Sequence, residues 1–176
     1  SDESRQWFRT KLQNMRRISR GDLMRSDELK LVNKSQPLIG SMNMFFYDAK
    51  HKETLPYFDR FPLSIIVKGA PGGFLGLNLH YLPPVLRAKM LDGLMETVNN
   101  KRYDETTKFQ ITYNLLQATA RLKFYKPCLK HYLFSQVKSR LARVEAPEWE
   151  IATFLPTADF EKANAGTIYA DSRKAI

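Results

Sequence analysis

The sequence predicts an α+β fold: a small antiparallel sheet, SH3-like and partly closed, with a three-helix insertion and a basic N-terminal helical arm. Three observations predict it. Apolar residues alternate at period two in segments between residues 40 and 82. After Pro83-Pro84 the apolar spacing changes to steps of three and four, the helical period. A last apolar run over 148–155 then stands where a strand returning to the first three would close a small barrel. The chain divides accordingly into a basic arm over 1–36, a single α+β domain over 37–156 and a C-terminal tail over 157–176.

In the arm, Trp7, Phe8, Leu12 and Met15 recur at helical spacing, ringed by Arg5, Arg9, Lys11, Arg16, Arg17 and Arg20, until Gly21 breaks the pattern. Two readings stand: an amphipathic arm reaching away from the body, or a helix that packs its Trp7 stripe on the domain. The first strand spans 40–49, with Met42, Met44 and Phe46 alternating against Ser41, Asn43 and Phe45. A polar turn, Asp48 to Glu53, follows it. The second strand, 61–67, is rich in β-branched residues, as a fully buried strand is. Ala70-Pro71-Gly72-Gly73 supplies a turn with permissive glycines. The third strand, 74–82, sets Phe74, Gly76, Asn78 and His80 on one side and Leu75, Leu77, Leu79 and Tyr81 on the other. Three strands joined by turns make a meander.

The first inserted helix spans 84–99. Pro84 suits its first turn, where a missing N–H costs little, and Leu86, Met90, Leu94, Leu91, Met95 and Val98 form its apolar face. A second helix over 106–124 carries Phe109, Tyr113, Leu116, Ala120 and Phe124 at steps of three and four. A third over 127–144 opens at Pro127 and lines its buried side with Leu133, Val137, Leu141 and Val144. The run over 148–155 reads as the returning strand, stopped by Pro156. In the tail, Thr157 or Asp159 has the character of an N-cap before Phe160 to Ala163.

Composition narrows the function classes. The 176 residues are 43% hydrophobic and 12% aromatic, enough for one domain with a core. Twenty-eight Lys and Arg stand against eighteen acids, a net charge of +10, with a pI near 9.7. Such a chain is drawn to polyanions: nucleic acid, an anionic membrane surface, or an acidic protein partner. No stretch approaches the roughly 20 apolar residues of a membrane span, and the N-terminal residues lack the apolar run of a secretory signal, so no membrane partner is expected. The single Cys128 permits no intrachain disulfide and fits a reducing compartment.

Catalytic patterns are weak. Three histidines, His51, His80 and His131, and one cysteine have no metal-ligand spacing, so no metal or cofactor is expected. Cys128 lies between Lys126 and Lys130, which would favour a thiolate, but a small apolar residue in an interface is the commoner reason for a cysteine there. Asp48, Asp59 and His80 could do acid–base work, yet no carboxylate cluster of the kind a magnesium nuclease needs accompanies them. The glycine-rich Gly69 to Gly76 lacks the order of a phosphate loop and leads into a strand, so there is no helix dipole to hold a phosphate. The expectation is a non-enzymatic protein without a small-molecule substrate.

The strongest signal is a sign imbalance. From Thr106 to Val144 there is no acidic residue, while Lys108, Arg121, Lys123, Lys126, Lys130, Lys138, Arg140 and Arg143 fall inside that span. A solvated helix normally mixes signs, since opposite charges four apart support it. Phe124, Tyr125, Tyr132 and Phe134 interleave the positive charges. Cations neutralise phosphates and exposed rings stack on unpaired bases. No helix-turn-helix, zinc finger or RNP motif is present, so binding independent of sequence is the form expected. The candidate nucleic-acid-binding set is Lys130, Lys138, Arg140, Arg143, Arg121, Lys123 and Lys126, aided by Arg16, Arg17 and Arg20 of the arm.

Several phrases carry a resemblance: FFYDAKHKETLPYFDRFPL, then GGFLGLNLHYLP with a following RAK helix, PCLKHYLFSQVKSR, and EWEIATFLP with a terminal DSRK. From about Ile39 onward the chain resembles a family of virion proteins of large T-even-type contractile-tailed phages, the DNA end protectors. The resemblance implies a protein seated on the ends of packaged DNA, shielding them from host exonuclease after injection. It implies duplex DNA ends and other phage structural proteins as partners, and the virion and the infected bacterial cytoplasm as locations. It brings no catalytic motif and hence no catalytic residue. The alternative is a structural head, neck or baseplate assembly protein that docks its basic surface on acidic virion partners.

Overall fold

A computed structural model describes residues 2–15, 38–98 and 126–176, with 93–98 and 146 described by backbone only. Its elements are helix α1 (Asp2–Met15), strands β1 (Met42–Met44), β2 (Phe58–Asp59), β3 (Leu63–Ala70) and β4 (Gly73–Asn78), helix α2 (Pro84–Val98), strands β5 (Leu129–Leu133) and β6 (Ala142–Val144), helix α3 (Trp149–Phe154), strand β7 (Phe160–Glu161) and helix α4 (Ala165–Ala175). Short 3-10 turns lie at Leu79–Tyr81, Phe134–Gln136 and Ala146–Glu148. No helix among the described residues is long and apolar enough to cross a membrane.

The α+β class holds: helices pack on a five-stranded antiparallel sheet of order β5-β4-β3-β1-β6, and a two-stranded ribbon pairs β2 with β7. The period-two alternation does what it predicted. Met42, Met44, Leu63, Ile65 and Leu77 enter one core with Met15, Met90, Trp149 and Ile168. Phe45, Tyr47, Ile66, Phe74 and Tyr132 enter a second core on the other side. There Phe45 meets Tyr132 edge-on at 5.2 Å between ring centroids, the arrangement ring quadrupoles favour. The β3–β4 hairpin turns at Pro71-Gly72, where Gly72 has φ +70°, the conformation a type II turn asks of its third residue. The pairings run as an open order with β5 and β6 at its two ends, and among the described residues no ladder joins those ends, so the expected SH3-like closure is not shown.

Several expected elements differ. The segment 127–144 is not one helix: only Pro127 and Cys128 are α-helical, and β5, a 3-10 turn and β6 follow. Its backbone donors find distant partners in place of the carbonyl four residues back. Lys138 N donates to Phe46 O at 2.9 Å and Arg140 N to Met15 O at 3.2 Å, while the Ser139 hydroxyl accepts from Phe46 N at 2.8 Å. Of the three-helix insertion, α2 is present as expected, the second helix (106–124) lies outside the described residues, and the third is replaced by strands. The returning strand over 148–155 is also corrected. Trp149–Phe154 is helical, with Thr153 Oγ1 bonded to Trp149 O one turn back, and β6 takes the place beside β1. The third strand ends at Asn78, whose side-chain oxygen accepts from His80 N at 3.0 Å and starts a 3-10 turn. In the tail, Phe160–Glu161 pairs with β2, and Asn164, not Thr157 or Asp159, caps the helix by accepting from Thr167 N at 2.9 Å.

The leader helix settles one open alternative for its described part. In α1, Met15 is fully buried, Trp7, Phe8 and Leu12 pack against the core, and Phe8 meets Phe61 at 5.9 Å. The Trp7 indole N–H donates to the Glu148 carboxylate, and Lys11 Nζ reaches Glu148 at 3.3 Å and Arg143 O at 2.7 Å. Asp2–Met15 is therefore docked on the body through the Trp7 stripe, and does not reach away from it.

Candidate nucleic-acid interface

Among the described residues, the proposed cations do not share a helix. Lys138 and Arg140 are exposed in the connection from the 3-10 turn to β6. Their neighbourhood includes the end of α1, because Arg140 N bonds to Met15 O. The next two residues in sequence after Met15 are Arg16 and Arg17. Arg5 and Arg9, four residues apart on α1, are exposed as well. Arg143 is half-buried in β6 with its carbonyl taken by Lys11. At the opposite end of the strand order, Lys126 is exposed just before β5. Arg16, Arg17, Arg20, Arg121 and Lys123 lie outside the described residues.

Lys130 is placed differently from the rest. It sits in β5 with its ammonium 4.0 Å from the centre of the Tyr81 ring, a cation–π contact. Burial lowers the pKa of this ammonium. It is half-buried in a strand, and not on the helix expected for it.

The residues with catalytic character form a buried clasp. The Asp59 carboxylate accepts from Phe61 N at 2.9 Å, Asp159 N at 3.1 Å and Asn78 Nδ2 at 2.9 Å, and meets His80 Nδ1 at 2.7 Å. His80 Nε2 lies 3.2 Å from Thr157 Oγ1. The order hydroxyl, imidazole, carboxylate is that of an activated nucleophile. Here the imidazole is fully buried, and the four Asp59 contacts tie together three pieces of chain: the end of β2, the end of β4 and the approach to β7. The geometry is that of a structural junction. Asp48 is elsewhere, on the surface, paired with Lys52 at 3.1 Å.

Two more buried groups resolve the same way. Cys128 is fully buried and burial pushes its thiol up to about 12, which leaves it without thiolate at neutral pH. Arg87, unmarked by any sequence motif, is buried and donates to Leu82 O at 2.6 Å, Thr153 O at 3.0 Å and the Tyr169 hydroxyl at 2.8 Å. It stitches α2 to α3 and α4 through neutral acceptors. No group of three or more His, Cys, Asp or Glu able to hold a metal ion occurs among the described residues.

A protein-family model described as Phage T4 terminal DNA protecting protein matches residues 3–173. Neither a curated protein nor a solved structure matches the chain.

Proposed function

Because the chain belongs to the Phage T4 terminal DNA protecting protein family, we propose that it binds the ends of phage DNA without reading sequence and shields them from exonuclease without catalysing a reaction. The observation that carries this reading is the family match across nearly the whole chain. The +10 charge supports it, since a sequence-independent DNA protein draws its affinity from cations that displace counterions from phosphates. In this reading Lys138, Arg140 and Lys126 contact phosphates near a terminus, and Arg16, Arg17, Arg20, Arg121, Lys123 and Arg143 extend the same field. A protein seated there denies an exonuclease the free end it needs. The protein acts in the virion and, after injection, in the host cytoplasm.

The test compares blunt linear duplex with a closed circle of the same sequence across a salt series. Preference for the linear form, with log affinity falling linearly in log salt, is expected. Equal affinity for both forms would remove end recognition, and a flat salt response would remove phosphate contact.

A second reading, docking on other virion proteins, has an observation of its own. Val85 at the start of α2 is 69% exposed and Phe154 at the end of α3 is 48% exposed, large apolar side chains left facing solvent. It predicts that the protein stays with the particle after nuclease digestion and that Phe154→Asp releases it. Release by nuclease alone would reject it.

A further inference from the structure

A cavity of about 330 Å3 opens between the polar turn that follows β1 and the outer strand β5. Its size falls in the range of small-ligand sites, roughly 300–1,000 Å3, and is far too small for a duplex. We propose that this cavity takes the unpaired terminal nucleotide of a DNA strand, its base against Tyr57 and its terminal phosphate at Lys130. The inference rests on the end-binding reading above and names the part of the DNA that the protein grips.

The inner wall is core: Phe58, Asp59 and Tyr132 line it and are buried. A nucleotide that enters meets buried side chains at the back of the cavity. Asp59 does not compete for the site, because its oxygens are already engaged by His80, Asn78, Phe61 and Asp159. Lys130 is the cation inside. Its ammonium is held over the Tyr81 ring, and among the described residues no carboxylate lies within ion-pair distance of it. A half-buried cation that lacks an anion gains from a ligand that brings one. Tyr57 is half-buried at the rim, with its hydroxyl fixed by a 3.1 Å bond to Asp171, so its ring is a pre-set surface for stacking. The rim turn is itself pinned: Lys162 Nζ donates to Lys52 O and, at 3.0 Å, to Leu55 O. Lys50 and His51, exposed at the mouth, stand where the next phosphate would pass.

The test uses the full chain and linear duplexes that end in a one-nucleotide 5′ overhang, with or without the 5′-phosphate, beside a closed circle. The wild type is expected to bind phosphorylated ends at least tenfold more tightly than dephosphorylated ones, and thymidine 5′-monophosphate is expected to compete where thymidine does not. Lys130→Gln should erase the phosphate preference, and Tyr57→Ala should weaken binding to both kinds of end by about tenfold, each with closed-circle affinity unchanged. Tyr57 lies at the rim, so its variant keeps the test open should Lys130→Gln fail to fold by circular dichroism. Strong end binding that ignores the phosphate, resists the nucleotide and survives both substitutions would overturn the pocket and leave end binding standing. Wild-type protein that does not distinguish linear from closed DNA would overturn end binding, and the pocket with it.

Discussion

Asp59 shows how one side chain can hold distant parts of the chain together. It joins β2 to Asn78 and His80 at the end of β4 and to Asp159 before β7, a junction between segments up to 100 residues apart. Burial alone would raise its carboxyl pKa, but the neighbouring His80 and the bonds from His80, Asn78 and Phe61 prevail and hold it below the ordinary value. The folded state thus releases the Asp59 proton more readily than the unfolded chain, which binds more protons at the same pH. Stability therefore rises with pH through this window. The contribution is complete above the unfolded carboxyl value of about 4 and is lost as pH falls through the lower, folded value. Asp59→Asn is expected to cost about 3 kcal/mol or more at neutral pH, because it removes the charged acceptor from a buried pair. It should also flatten the acid limb of a urea-midpoint series taken below pH 4. Asp48→Asn, which breaks only an exposed pair with Lys52, is expected to stay within about 0.5 kcal/mol. An acid limb that is unchanged in Asp59→Asn would show that other carboxylates govern acid unfolding.

At the scale of elements, the pairing of β5 with β4 depends on one residue without a side chain, Gly73. A Cβ built on Gly73 would lie 1.8 Å from Tyr132 O, well inside contact distance. Gly73→Ala must therefore push β5 off β4, and the expected cost exceeds about 4 kcal/mol, with amide exchange accelerated across Leu129–Leu133. Protected amides in that strand would contradict the close approach. The same pairing explains what the sequence could and could not disclose. Met42 to Met44 and Leu63 to Asn78 were readable because each residue's neighbours on one face are set by alternation alone, whereas the first strand, expected over 40–49, is confined to Met42–Met44. Leu133, Val137, Leu141 and Val144 fit a helical step by coincidence: they belong to two strands and a turn, whose identity is decided by β4 and β1. In Trp149–Phe154 the reverse holds, since a helix of six residues is too short for its period to appear. The cavity shared the fate of β5. Tyr57, Tyr81 and Lys130 come from three segments, and only the strand pairing places them together.

For the whole molecule, the question is whether +10 acts as a diffuse field or through positions. Both act on encounter with DNA, but only placed cations change the number of counterions released at the bound state. Lys138 and Arg140 stand beside the end of α1, where the chain continues into Arg16 and Arg17, whereas Arg173 and Lys174 are exposed in the last turn of α4. Two double variants lower the net charge equally, by two. If binding runs through the α1–β6 edge, Lys138→Ala with Arg140→Ala should reduce the slope of log affinity against log salt by about 2 and weaken binding to every DNA sequence alike. Arg173→Ala with Lys174→Ala should leave the slope within error of the wild type, because a changed long-range field alters approach more than the contacts made. Equal changes in both variants would mean that charge works from a distance and that no edge of the sheet is the DNA-facing one. A slope lost only in the α4 variant would move the interface to the opposite end of the chain. Measured on linear and closed DNA in parallel, the same pair of variants separates general phosphate contact, which lowers both affinities together, from the grip on a terminus, which the cavity beside β5 would retain.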